Sequence, residues 1–165
     1  MKSQDQIYAE IESKLRTGFL NQTIIEVVQN ITTQSVAEVR VKDTENQMFC
    51  QSYISSILFM TGPVNMALII GMPIQDACDL ICSLTGMEAE KIQGENMFDI
   101  VNEIANMVSG RIKALLNQMG YAYTNSHAFT VFGEDYNIFH RSKIKSMIKK
   151  YRSTYLEVTV RILSL

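Results

Sequence analysis

The chain has 165 residues, 47% hydrophobic and 19% charged, which suits one domain, residues 1–165, with a sizeable core and excludes wholesale disorder. Its 15 basic and 17 acidic side chains leave a formal charge of −2, which argues against a nucleic-acid binder with its usual basic excess. Three cysteines, Cys50, Cys78 and Cys82, are too sparse for a disulfide scaffold and read as free, buried thiols in a reducing cytoplasm. Cys78 and Cys82 share a helix face at a four-residue spacing that a redox or metal pair would also show, but no second Cys or His pair stands at zinc spacing.

In chain order, Asp5, Glu10 and Glu12 interrupt the N-terminus before an apolar run can form, so no signal peptide is expected. From Gln6 to Asn30, Ile7, Ile11, Leu15, Phe19, Ile24, Val27 and Val28 recur at helical spacing, with Gly18 placed to divide the segment in two. Val36, Val39 and Val41 predict a short strand. Asn46 to Gln75 carries no charge, yet Thr61-Gly62-Pro63 splits it into halves shorter than the ~20 residues needed to span a bilayer. Phe49–Met60 and Val64–Gly71 therefore predict an antiparallel pair of strands around that turn. Pro73 suits the first turn of a helix running to about Leu84, and Gly86 suits its stop. The longest periodic segment follows, from about Asn96 to Met119, ended by Gly120. Tyr121–Phe132 and Tyr155–Leu163 predict strands, the second with Leu156, Val158, Val160 and Ile162 on one face and Glu157, Thr159 and Arg161 on the other. Ile144–Tyr151 fits either strand or helix, and a hairpin closing through Arg152-Ser153-Thr154 favours strand. This order predicts an α+β fold: about six mostly antiparallel strands, two central helices packed on the sheet, and an N-terminal helix.

Placed on a helical wheel at ~100° per residue, the segment from Asp99 to Asn117 separates into two faces. Glu103, Asn106, Gly110, Lys113 and Asn117 fall within about 40° of Asp99. Ile100, Val101, Ile104, Val108, Ile112 and Leu115 lie on the far side, and Arg111 sits at the apolar edge, where its stem can snorkel. The ridge sets a carboxylate beside an amide three residues on, followed one turn later by a glycine, Gly110, that opens room for another molecule's backbone. Periodicity alone does not separate this from an ordinary solvated helix side with an incidental glycine.

The string Asp99-Ile-Val-Asn-Glu103-Ile-Ala-Asn106-Met-Val-Ser-Gly110 resembles the signature helix of the CheC/CheX/FliY phosphatases, and so does the element order over residues 15–165. One signature helix rather than two brings the likeness nearer to CheX. That resemblance implies a CheC-like fold and a phosphatase acting on the aspartyl phosphate of a CheY-like response regulator. It implies no cofactor of the chain's own, with Mg²⁺ supplied by the regulator. Asn106 matches the amide that orients the attacking water, a positioning role like that of the GTPase glutamine. Glu103 matches the acid that docks on the regulator's lysine. Asp99 and Gly110 match further positions at the partner interface, Asp99 also suiting the helix's first turn by its charge. The resemblance further implies a cytoplasmic homodimer joined through its sheets, with which the apolar C-terminal strand is compatible. Two other readings are a catalytically silent module binding a regulator or flagellar-switch component, and a small-molecule sensor.

The remaining signals point elsewhere less specifically. Arg141, Lys143, Lys145, Lys149, Lys150 and Arg152 form a basic run that fits the flank of an edge strand or a site for an acidic partner. His127 and His140 belong to no recognisable triad, and no phosphate-binding glycine loop occurs. The ten methionines fall mostly at apolar-face positions.

Overall fold

The computed structural model describes residues 2–32, 35–39, 53–133 and 144–165. Helix α1 (Gln4–Lys14) is capped by the Ser3 hydroxyl, which accepts the Gln6 N–H, while the Gln6 side chain accepts the Ser3 N–H in return. A one-turn π segment, Leu15–Phe19, joins it to α2 (Leu20–Thr32). The break predicted at Gly18 is there, with a φ of 102° that a side chain would strain. Strand β1 (Ala37–Val39) is short; Val41, Phe49 and Cys50 lie outside the described residues. Strands β2 (Tyr53–Thr61) and β3 (Met66–Pro73) form the expected antiparallel pair, and α3 (Ile74–Thr85) follows Pro73 and stops at Gly86. Helix α4 (Gly94–Gln118) is the signature segment, two residues longer at its start than predicted. Strands β4 (Thr124–Asn125), β5 (Phe129–Gly133), β6 (Ser146–Arg152) and β7 (Glu157–Ser164) complete the chain.

The described strands form one antiparallel sheet in the order β1-β6-β7-β3-β2-β4, with β5 also paired to β2. The strand predicted over Tyr121–Phe132 is divided because three residues, Ser126–Ala128, oppose two, Leu58 and Phe59, between the Met60–Asn125 and Ile57–Phe129 pairs. The Ser126 hydroxyl fills the gap by accepting the Phe59 N–H at 3.0 Å.

One face of the sheet carries the main core. Ile54, Leu58 and Met60 of β2, Met66, Leu68, Ile70 and Met72 of β3, and Val158, Val160 and Ile162 of β7 meet the helices there. Val101, Ile104, Val108, Ile112 and Leu116 of α4 are fully buried against them, each worth about 1.5–3 kcal/mol of transfer from water. Helix α4 packs on β2 and β3 and touches both α2 and α3. Arg111 at the apolar edge pairs with Glu26 of α2, so its charged end ties two helices together.

The sheet's second face is also substantially buried. Ile57, Ala67, Ile69 and Leu163 form a smaller cluster there with Val131 and Ile144. Strand β7 is central, between β6 and β3, and its polar residues Thr159 and Arg161 are buried along with its apolar ones. Its apolar character thus follows from its place inside this one chain. The basic run does not flank an edge strand as expected, since β6 is paired with both β1 and β7. Its described members are engaged in ion pairs: Lys145 with Asp5, Lys149 with Glu38, and Lys150 and Arg152 with Glu157. Arg141, Lys143 and His140 lie outside the described residues.

Glu157 is the hub of that second-face network. Its Oε1 accepts the Tyr53 hydroxyl at 2.8 Å and lies 2.7 Å from the Lys150 ammonium, joining β2, β6 and β7. Burial pushes its carboxyl up, but the bonds from Lys150, Arg152 and Tyr53 outweigh that and hold it below its ordinary 4.5. A lowered folded-state pKa contributes stability that is complete above the unfolded value and is lost as pH falls through the folded one. Glu157→Gln is therefore expected to cost about 1–2 kcal/mol at neutral pH, given the partly exposed cations. Urea unfolding from pH 7 to pH 3 checks this: the gap from the unaltered chain begins to narrow as pH drops below 4.5 and closes below the lowered folded-state value. A gap independent of pH refutes the electrostatic assignment.

Candidate functional site

The ridge of α4 faces outward as the wheel predicts. Asp99, Glu103, Asn106, Gly110 and Asn117 are exposed, and Lys113 is half-buried. What fixes this is the opposite stripe, where Val101, Ile104, Ala105, Val108 and Ile112 have no solvent exposure. The Asp99, Glu103 and Asn106 side chains make no hydrogen bond or ion pair to any described residue, so their polar ends are available to another molecule.

These three residues line one wall of an open groove of about 530 Å³ between α4 and α3. Ile81, Leu84 and Thr85 of α3 form the other wall, with Ile100 of α4 contributing to its apolar lining. Among the described residues its lining includes two carboxylates, Asp99 and Glu103, and no Lys or Arg, so it favours a cationic or hydrogen-bonding visitor over an anionic one. Leu84 is exposed at its edge. The structure thus brings Asp99, Glu103 and Asn106 together; Gly110 lies further along the same ridge and does not line the groove. Asp99 does not serve the helix's first turn as expected, because α4 begins at Gly94 and its first-turn acid is Glu95. The start is set by Gln93, whose N–H donates to Asn96 Oδ1 at 3.0 Å.

Sequence reasoning missed two neighbours of the ridge. Asn102 is half-buried, and its Oδ1 accepts the Ser56 hydroxyl of β2 at 2.7 Å and the Thr130 hydroxyl of β5 at 2.9 Å. Phe98, one turn earlier, packs against Phe132 of β5 with ring centroids 5.4 Å apart. Neither was legible, since both depend on where β5 pairs. Cys78 and Cys82 are half-buried free thiols on α3, and Cys78 Sγ lies 3.5 Å from Met97 Sδ of α4. Burial raises the Cys78 thiol above its ordinary value, which makes it a packing group rather than a nucleophile. His127 is exposed and lines no part of the groove. Among the described residues no three His, Cys, Asp or Glu side chains are grouped to hold a metal ion, and no helix is long and apolar enough to cross a membrane.

The sequence profile of the chemotaxis phosphatase CheX family matches residues 54–151. No curated protein matches the chain. Among solved structures, the chain is similar to a CheC-like superfamily protein from Shewanella sp. PV-4, at 22% identity and a TM-score of 0.74 over 90% of this chain and 98% of that one. It is similar to the chemotaxis protein CheX from Desulfovibrio desulfuricans, at 19% identity and a TM-score of 0.75 over 92% and 99% of the two chains. A third similar structure is that of a CheX–CheY–BeF3–Mg²⁺ complex from Borrelia burgdorferi, at 17% identity and a TM-score of 0.67 over 88% and 94%. These structures share the antiparallel sheet and its helices.

Gly110 is the ridge residue whose cost is easiest to isolate. It sits in the interior of a 25-residue helix, and a Cβ built on it meets nothing within 4 Å. Its own fold therefore gains nothing from the missing side chain. Gly110→Ala is expected to raise stability by about 0.5–1 kcal/mol. Chemical denaturation measures it; an unchanged or lower midpoint would mean that the helix needs the glycine after all.

Proposed function

The chain belongs to the chemotaxis phosphatase CheX family, and from that premise we propose that it hydrolyses the aspartyl phosphate of a CheY-like response regulator. The observation that carries the reading is the exposed pair Glu103 and Asn106, side by side on one groove wall with their polar ends unengaged by any described residue.

In this reading the α4 ridge enters the regulator's phosphorylation pocket. The Asn106 amide hydrogen-bonds a water and aims it at phosphorus, in line with the bond to the aspartate oxygen. Attack forms a new P–O bond, breaks the acyl phosphate bond, and releases inorganic phosphate with the aspartate as carboxylate; the water's proton passes to the departing phosphate. An amide is too weak a base to take that proton, so Asn106 acts by placement. Glu103 pairs with the regulator's lysine, drawing it from the phosphoryl oxygens and fixing the two proteins in register; the groove's two carboxylates support such a partner. Asp99 adds to that negative wall. Gly110 lets the regulator's backbone approach the helix closely, and the open space around it supports this. In this reading the chain has no cofactor of its own and Mg²⁺ comes with the regulator, which the similarity to a CheX–CheY–BeF3–Mg²⁺ complex supports. The reading also includes a homodimer through the sheets. Its candidate contact is the exposed Phe59–Phe129 pair on the sheet's second face, with ring centroids 5.9 Å apart. Sedimentation tests that part, and a monomer at every concentration removes it.

Phosphorylated regulators from the same organism, followed for loss of label, test the phosphatase. Asn106→Ala is expected to slow the stimulated reaction by about 10²–10³ while leaving the fold intact and the melting temperature no lower. Glu103→Ala and Gly110→Ala are expected to raise KM more than they lower kcat, since both act in docking. If label is lost equally fast with and without the unaltered protein, for every regulator tried, the chain is a silent binding module instead.

A further inference from the structure

Asn102 stands between the two reactive candidates and the sheet. It precedes Glu103 directly and Asn106 by one turn, yet it belongs neither to the outward ridge nor to the apolar stripe. Its carbonyl oxygen has two lone pairs, and both are used: the Ser56 and Thr130 hydroxyls donate to it at 2.7 and 2.9 Å. Ser56 and Thr130 are direct register partners across β2 and β5, so their hydroxyls stand together on the helix-facing side and converge on one atom. Ser56 is fully buried. On the same flank, Phe98 packs on Phe132 of β5.

The consequence is rotational. Apolar packing decides which stripe of α4 faces the sheet, but being non-directional it leaves the last few degrees of rotation to directional contacts. Two hydrogen bonds to one side-chain atom resist rotation of the helix about its axis. A ridge side chain ends roughly 5–6 Å from that axis, so turning the helix by about 10° shifts its tip by about 1 Å. Misplacement on that scale can cost roughly 10²-fold in rate. Asparagine is also a poor helix-interior residue, and its placement here is explained by the clamp rather than by propensity.

We infer that Asn102 is a positioning residue, clamped by the Ser56 and Thr130 hydroxyls so that α4 presents Glu103 and Asn106 at the angle the reaction requires. This rests on the reading of those two residues as the reactive pair. Asn102 lines the groove beside Glu103 and Asn106, but its carbonyl oxygen is committed to the sheet, so its part is to position Asn106.

Thr130 offers the cleanest test, because it is half-buried on a short strand and can be changed with or without its hydroxyl. Thr130→Val and Asn102→Ala are expected to lower kcat for stimulated dephosphorylation by about 10–100-fold with KM within about twofold, and Thr130→Ser to keep kcat. The Asn102→Ala/Thr130→Val double variant is expected to be no slower than Asn102→Ala, as for parts of one unit. Wild-type kcat in both single variants overturns the inference, as does a loss in Thr130→Ser equal to that in Thr130→Val. An inactive unaltered protein removes the phosphatase reading, not the clamp, and hydrogen exchange on the free chain then decides. Backbone amides of residues 99–106 exchanging about tenfold faster in Thr130→Val but not in Thr130→Ser uphold the clamp; equal exchange overturns it.

Discussion

Once a long helix commits one stripe to a sheet, geometry leaves it a single stripe to offer the solvent. For α4 the committed stripe is Val101, Ile104, Val108, Ile112 and Leu116, all fully buried over β2 and β3. Close packing selects that stripe, since a large rotation of the helix would lift several methyl groups from filled positions at once. The opposite stripe, with Asp99, Glu103, Asn106 and Gly110, is thereby aimed outward without any contact of its own. The site is a by-product of the core.

That arrangement separates stability from chemistry along one element. The outward residues of α4 are poor choices for a helix: asparagine costs up to about 0.7 kcal/mol relative to alanine and glycine about 1. The helix tolerates them because its inward face supplies the stabilisation, as is usual for amphipathic helices in proteins. A ridge freed from structural duty can carry an amide and a carboxylate with no partners among the described residues, which is what a surface that must enter another protein's pocket requires. The apolar wall supplied by Ile81 and Leu84 of α3 gives the same groove a place for side chains as well as for charge.

How far the sequence could be read depends on how local each feature is. The helices, the β2–β3 hairpin, the stops at Gly86 and Gly120 and the outward ridge were all legible, because each follows from spacing within one segment. The fold of antiparallel strands with helices packed on one face was legible from their order. What failed needed a second element. Alternation in β7 was visible, but nothing local says that Thr159 and Arg161 are buried too, since that requires knowing that β7 is central. Strand β6 looked like an edge because nothing local says that the short strand β1, itself predicted, pairs with it. Asp99 was placed in a first turn because a helix opening on a glycine, Gly94, carries no ordinary start signal. Asn102 looked like one more polar residue, and only the register of β5 on β2 gives it partners.

The same contrast bears on what kind of residue a short motif can identify. Glu103 and Asn106 are recognisable as a pair because the helix alone sets their relation, so the spacing survives in any fold that holds such a helix. Residues inferred to orient the pair come from the sheet beneath, through contacts that the helix's own spacing does not set. Here the offset between β4 and β5, with Ser126–Ala128 opposing Leu58 and Phe59, brings Thr130 opposite Ser56 and both under Asn102. Without that offset the alternation of β5 would turn Thr130 to the other face. A bulge three residues long thus decides which side chain meets the helix, and on the inferred clamp the orientation of the outward ridge depends on a strand that the motif does not contain.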